Sequence, residues 1–277
     1  MNSIHSNRSI VLFVALAIGL SFLYYGLFIL HSLGWLSFNP ASDIIGALRG
    51  YGPALAGLIV AAAIYGRNGL KELWMRVTMW RIQRGLLALA IFGPMLGSLL
   101  LLFILYLAGV DLVLDLKSVP LPKLILIFFF FAILDGPVGE EIGWRGFLLP
   151  RLLERYGMLF ASTILGFVWF VWHLPLYLTT DRLDLNLVII LSYLLNNVAF
   201  SFLHTWFFLR SGGSAFLAII FHTSGNYFVF LPVKLFPNIE HSPMTEPIYL
   251  GILVVTAFIA GLSLRRNPAY VLRNLNQ

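Results

Sequence analysis

Residues 139–151 read GEEIGWRGFLLPR, and this stretch places two adjacent carboxylates, Glu140 and Glu141, in an otherwise apolar part of the chain. An ionisable side chain inside a membrane costs roughly 2.5 to 3.5 kcal/mol on insertion scales. Two carboxylates beside Arg145 therefore require partners, water or a function. We expect the rest of the chain to supply those partners.

The composition is that of a membrane protein. The 277 residues are 60% hydrophobic and 11% charged, with a mean hydropathy of +0.89, whereas soluble domains have about 25% charged residues. Most apolar runs reach the ~20 residues that a helix needs to cross a bilayer, and the alternating pattern of barrel strands is absent. The sequence therefore predicts an all-α membrane protein with one helical bundle, a single domain over residues 1–277 whose core motifs lie within 122–233.

The apolar runs predict about eight transmembrane helices. They lie near residues 9–31, 43–65, 85–108, 122–139, 158–178, 187–209, 214–233 and 247–264. With the N-terminus inside, thirteen of the 18 Lys and Arg residues fall on the cytoplasmic side and four on the outer side. This asymmetry predicts that both termini are cytoplasmic, because basic residues collect on that side.

The basic residues indicate lipid rather than nucleic acid as the counter-charge. The net charge is +6, but the positive residues fall in the connections between apolar runs, where anionic headgroups lie. Residues 67–84 combine basic and apolar residues at helical spacing, which predicts an amphipathic helix on the inner leaflet. The absence of cysteine excludes disulfides, thiolate metal ligands and a cysteine nucleophile.

The spacing around the two carboxylates predicts a helical hairpin. Glu141 and Arg145 are four residues apart, in the order that favours an ion pair on one helix face, whereas Glu140 points about 100° away. Glu140 lies 16 residues before Tyr156, and His173 lies 16 after Gly157. Two antiparallel helices joined by a turn there would bring Glu140 and His173 to the same depth.

A later apolar run, 214–233, carries a second polar pair. His222 and Asn226 are four residues apart and share one helix face. Asn196, Asn197 and His204 in the preceding run are further polar candidates, and we expect them to support the site from behind or to join helices.

Together these residues suit hydrolysis of an amide by water. Glu140 would act as general base with His173, while His222 and Asn226 would donate to the developing oxyanion. No cofactor is then needed. A zinc site of Glu140, His173 and His222 is the competing interpretation, although the usual HExxH signature is missing.

The same residues resemble the motifs of a known family. The Glu140–Arg145 segment matches the EExxxR motif of the CPBP family, the CAAX protease and bacteriocin-processing (Abi) group. Trp172–Pro175 and His222–Asn226 match its second and third motifs, in the same order. The chain thus resembles intramembrane endopeptidases similar to the type II CAAX prenyl proteases.

The resemblance implies roles for individual residues. Glu140 and His173 correspond to the pair that activates water, and His222 and Asn226 correspond to the oxyanion hole. The family pattern has Phe four residues before the histidine, where this chain has Trp169. We expect the larger ring to reshape the substrate cleft and to leave the chemistry intact.

The expected partners are a peptide or protein substrate, prenylated or membrane-bound, and the lipid bilayer. The expected location is a bacterial or archaeal plasma membrane, with the site open to the cytoplasm. A membrane scaffold or immunity protein that binds a peptide without cutting it is the alternative in a different functional class.

Overall fold

The computed structural model describes residues 3–37, 49–115, 126, 128, 136–179 and 187–265, and these residues form helices joined by turns and loops, with no strand among them. The α-helices of this part are α1 (Ser3–Ser32), α2 (Gly52–Val60), α3 (Gly66–Val77), α4 (Arg84–Leu107), α5 (Pro137–Glu141), α6 (Leu149–Thr179), α7 (Leu187–Arg210), α8 (Ala215–Leu235) and α9 (Thr245–Arg265). Two π-helical segments, Ala61–Tyr65 and Ile142–Leu148, continue α2 and α5. Short 3₁₀ turns occupy Arg49–Tyr51 and Pro237–His241. The predicted all-α class is confirmed.

Six helical stretches in the described residues are long and apolar enough to cross a membrane. They correspond to the predicted runs near 9–31, 85–108, 158–178, 187–209, 214–233 and 247–264. Of the two other predicted runs, 122–139 lies largely outside the described residues. The run 43–65 is described from residue 49 onward, as a 3₁₀ turn followed by α2 and its π-helical continuation. The chain is a multi-pass membrane protein, while eight spans and cytoplasmic termini stay predictions.

The predicted hairpin is present. The helical stretch Pro137–Pro175 has 39 residues, about twice what one crossing needs. Its backbone leaves helical geometry at Gly157, with φ 70° and ψ 175°, next to the predicted turn. The ring centroids of Trp144 and Trp172 are 6.0 Å apart, whereas a straight helix would separate these residues by about 42 Å. The chain therefore folds back on itself around Gly157.

A glycine face lets the carboxylate segment lie directly against its neighbours. Gly139, Gly143 and Gly146 are spaced by four and three residues and share one side of the helix. A Cβ atom on Gly139 would lie 2.8 Å from Tyr51 Cα, and one on Gly143 would lie 2.6 Å from Pro53 Cβ. Only glycine permits such close approach of two helical segments. The face thereby seats Glu140 and Glu141 in the bundle.

Aromatic side chains fill the core beside this face. Phe13 of α1 packs edge-on against Trp144 at 5.4 Å and stacks on Phe147 at 5.2 Å between ring centroids. Ser21 of α1 also donates a hydrogen bond of 3.3 Å to the backbone carbonyl of Trp172. A second core joins α4, α7, α8 and α9. The hairpin is thus held between α1 and the later helices.

The amphipathic helix is shorter than predicted. The helix α3 ends at Val77, and the hydroxyl of the next residue, Thr78, donates a 2.8 Å hydrogen bond to the backbone carbonyl of Trp74. The next helix, α4, begins only at Arg84. Leu73 is buried against the bundle while Trp74 is exposed. This division of faces agrees with the predicted position at the membrane interface, which stays a prediction.

Candidate active site

Glu141 lies at the centre of a buried ionic cluster. Its Oε1 atom accepts hydrogen bonds from Arg145 Nη1 at 2.7 Å and from His222 Nδ1 at 2.8 Å. The Glu141 and Arg145 side chains are fully buried and His222 is 4% exposed. The predicted ion pair is therefore present, and α8 adds a second donor from 81 residues further along the chain.

His204 of α7 joins this cluster. Its Nε2 atom lies 3.6 Å from Glu141 Oε1, and its Nδ1 lies 2.8 Å from the backbone carbonyl of Phe200. Because a carbonyl only accepts, Nδ1 carries the proton, and in the neutral ring Nε2 holds a lone pair. The sequence placed His204 among the supporting residues, and no local pattern indicated that it would reach Glu141.

Glu140 is held by different groups. Its Oε2 atom accepts a 2.6 Å hydrogen bond from the indole Nε1 of Trp169. Its Oε1 occupies the space that a side chain on Gly136 would need, and Gly136 has a φ of 111° that favours glycine. Glu140 and Glu141 thus have separate partners, as the 100° between them predicted.

His173 and Glu140 each form a hydrogen bond with Trp169. His173 Nδ1 donates to the backbone carbonyl of Trp169 at 3.0 Å, so that the neutral ring has its lone pair on Nε2. Trp169 therefore bonds to Glu140 with its side chain and to His173 with its main chain. The common depth of Glu140 and His173 in the hairpin stays a prediction.

The indole of Trp169 contacts both halves of the site. Its face lies 4.5 Å from the guanidinium carbon of Arg145. The rings of His222 and His204 meet it edge-on at centroid distances of 5.3 and 5.5 Å. We expected this larger ring to alter only the cleft, but its N–H group also binds Glu140. A phenylalanine could not make that bond.

The remaining polar candidates have different settings. Asn226 is half-buried, one turn after His222 on α8. The amide of Asn197 donates to the Tyr193 carbonyl at 2.8 Å within α7. Asn196 is also half-buried on α7, two turns before His204.

The donor atoms of Glu141, His204 and His222 lie within 4.8 Å of one another. Two imidazoles and one carboxylate are a donor set that zinc accepts. This set differs from the Glu140, His173 and His222 set that the sequence suggested. A metal here would share the Glu141 carboxylate with Arg145, and the positive guanidinium opposes a second cation at that place.

Comparison with known proteins agrees with the motif order. Residues 122–228 match the family described as type II CAAX prenyl endopeptidase Rce1-like. This segment is similar to the Rce1-like family. The Rce1-like segment contains Glu140, His173, His222 and Asn226, and the family predicted from the motifs is confirmed.

A curated relative matches part of the chain. CAAX prenyl protease 2 of Methanococcus maripaludis is 32% identical over 97 residues, which are 33% of this chain and 36% of the relative. The chain thus spans about a third of the length of the relative it matches.

Proposed function

We propose that this protein is an intramembrane endopeptidase, in which Glu140 and His173 activate the water that attacks a peptide bond. The observation that carries the proposal is that Trp169 is hydrogen-bonded to Glu140 through its indole and to His173 through its backbone carbonyl. Glu140 is 4% exposed, and His173 is half-buried. A carboxylate and a histidine that share one water are the groups that the proposed general-base catalysis uses.

The proposed reaction has two steps. Water adds through its oxygen to the carbonyl carbon while its proton moves to Glu140, with His173 Nε2 accepting a hydrogen bond from the same water. The carbon–nitrogen bond then breaks, and the proton held by Glu140 passes to the leaving amine. The products are a carboxylic acid and an amine, and no serine, cysteine or redox partner is consumed.

His222 is proposed to stabilise the oxyanion together with Asn226. His222 Nδ1 donates to Glu141, so Nε2 is the nitrogen that can face the substrate. Donation from Nε2 requires the ring to carry both protons, with Glu141 as its counter-ion. One donor of this kind contributes ~2.7 to 4 kcal/mol to transition-state stabilisation.

The proposed substrate is a C-terminal CAAX-type peptide carrying a prenyl group and presented from the membrane. The relative from Methanococcus maripaludis is described as a CAAX prenyl protease, and the matched segment spans every proposed catalytic residue. The proposed location is a bacterial or archaeal plasma membrane with the site open to the cytoplasm. Because the chain has no cysteine, a Glu154→Cys variant labelled with an impermeant maleimide tests the side of the hairpin turn.

The test of the function uses purified Glu140→Gln and His173→Gln proteins with a farnesylated CAAX peptide and with its unprenylated form. Each substitution should lower kcat by about 10²- to 10⁴-fold, because it removes an acid–base group. The controls are Glu154→Gln and His241→Gln, which change exposed residues of the same types. Full activity of Glu140→Gln in a folded protein would exclude the proposed mechanism, and equal cleavage of both peptides would exclude the prenyl specificity.

A further inference from the structure

Trp169 makes a hydrogen bond whose direction is certain. An indole N–H can only donate, so the 2.6 Å contact with Glu140 Oε2 has no alternative assignment of the proton. Both partners are buried, with Trp169 2% and Glu140 4% exposed. A buried hydrogen bond to a carboxylate is among the stronger ones in proteins.

This bond makes the two Glu140 oxygens different. Oε2 is occupied by the indole, while Oε1 lies against the backbone of Gly136. Rotation of the carboxylate would break the indole bond and leave a buried donor without an acceptor. Oε1 is therefore the oxygen that we assign to the attacking water in the proposed mechanism.

The indole itself is fixed from other sides. It stacks on Phe200 with centroids 6.0 Å apart and an angle of 18° between the rings, and its face carries the Arg145 guanidinium. Because these contacts restrict movement of the indole, they also restrict the orientation of the Glu140 carboxylate that it binds.

We propose that Trp169 is a positioning residue whose indole N–H orients the Glu140 carboxylate for attack by water. This inference rests on the proposed role of Glu140 as the base. It goes beyond the motif, because a phenylalanine at this place would keep the stacked ring without the donor. The alternative is that Trp169 only fills space.

The Trp169→Phe substitution separates the two alternatives. It keeps an aromatic ring against Phe200 and Arg145 and removes the N–H donor. The matched control is Trp144→Phe. Trp144 is fully buried, and its Nε1 atom has no hydrogen-bond partner in the part of the chain that the structure describes.

Trp169→Phe should lower kcat by about 10- to 100-fold, because a hydrogen bond to a charged group is lost. KM should change by a smaller factor than kcat, since the lost hydrogen bond acts on the base and a change in the width of the cleft acts on substrate binding. Trp144→Phe should change neither constant. Equal losses of kcat in the two variants would mean that ring packing alone matters, and would overturn the proposal.

A second measurement is independent of turnover. With ¹⁵N-labelled tryptophan, the seven indoles give separate N–H signals, and the signal of Trp169 is the one that Trp169→Phe removes. The same signal should shift most when Glu140 is replaced in Glu140→Gln. If it does not shift, the bond is absent and the proposal fails. If it shifts while Glu140→Gln keeps full activity, the proposed function fails instead.

Discussion

Replacing Arg145 should show how much the buried ion pair stabilises the fold. The Glu141–Arg145 contact is 2.7 Å long with both side chains fully buried, so Arg145→Gln removes a charge that no solvent can replace. Breaking a buried pair by removing one partner costs about 3 to 5 kcal/mol. We expect a loss of unfolding free energy in that range.

The chain contains a matched pair for comparison. Glu72 and Arg76 have the same spacing and order, but their contact is 3.2 Å long and their side chains are 33% and 17% exposed. This pair is partly open to solvent, and Glu72 also contacts Arg151, so removing Arg76 leaves no unpaired buried charge. Arg76→Gln should therefore cost less than Arg145→Gln, even though it also removes the contacts of Arg76 with the Gly213 carbonyl and the Phe208 ring.

The assay is unfolding in mixed micelles with increasing SDS, followed by far-UV circular dichroism. A Glu141→Gln/Arg145→Gln double variant should be more stable than Arg145→Gln alone, because the unpaired carboxylate is also removed. Equal losses for Arg145→Gln and Arg76→Gln would refute the reasoning from burial.

Three further outcomes are expected. Gly136→Ala and Gly157→Ala should each lower the unfolding free energy, because both glycines have positive φ. In peptidase assays only Gly136→Ala should lose activity, because its added Cβ would clash with Glu140, whereas a Cβ at Gly157 meets no other atom within 4 Å. Ser162→Ala should lower the unfolding free energy by about 0.5 to 1.5 kcal/mol, since its buried hydroxyl donates to Thr205 at 2.9 Å, and unchanged stability in the SDS titration would contradict this. Prolonged chelation should leave peptidase activity unchanged, and loss of activity restored by stoichiometric zinc would establish metal dependence.

Short-range spacing predicted the features that depend on helix geometry alone. The four-residue separation of Glu141 and Arg145 predicted their contact, which is confirmed, and equal distances from the turn predict a common level of Glu140 and His173, which stays a prediction. Both follow from the fixed rise and rotation per residue of a helix. The spacing of the glycines at 139, 143 and 146 also indicates close helix packing, but the prediction from the sequence did not use it.

The contacts between distant helices had no such signal. The Trp169 indole reaches Glu140 across 29 residues, and His222 reaches Glu141 across 81. His204 is an isolated histidine in an apolar run, and its nearness to Glu141 depends on how α7 is rotated against the hairpin. Periodicity within one helix does not determine that rotation.

The residues 139–151 alone therefore determined that two carboxylates lie in an apolar segment, that they point in different directions and that Glu141 pairs with Arg145. Only the tertiary structure decided that Trp169 binds Glu140 and that two histidines approach Glu141. The physical reason is that a helix sets the direction of its own side chains, whereas the partner of a buried charge is set by the packing of separate helices.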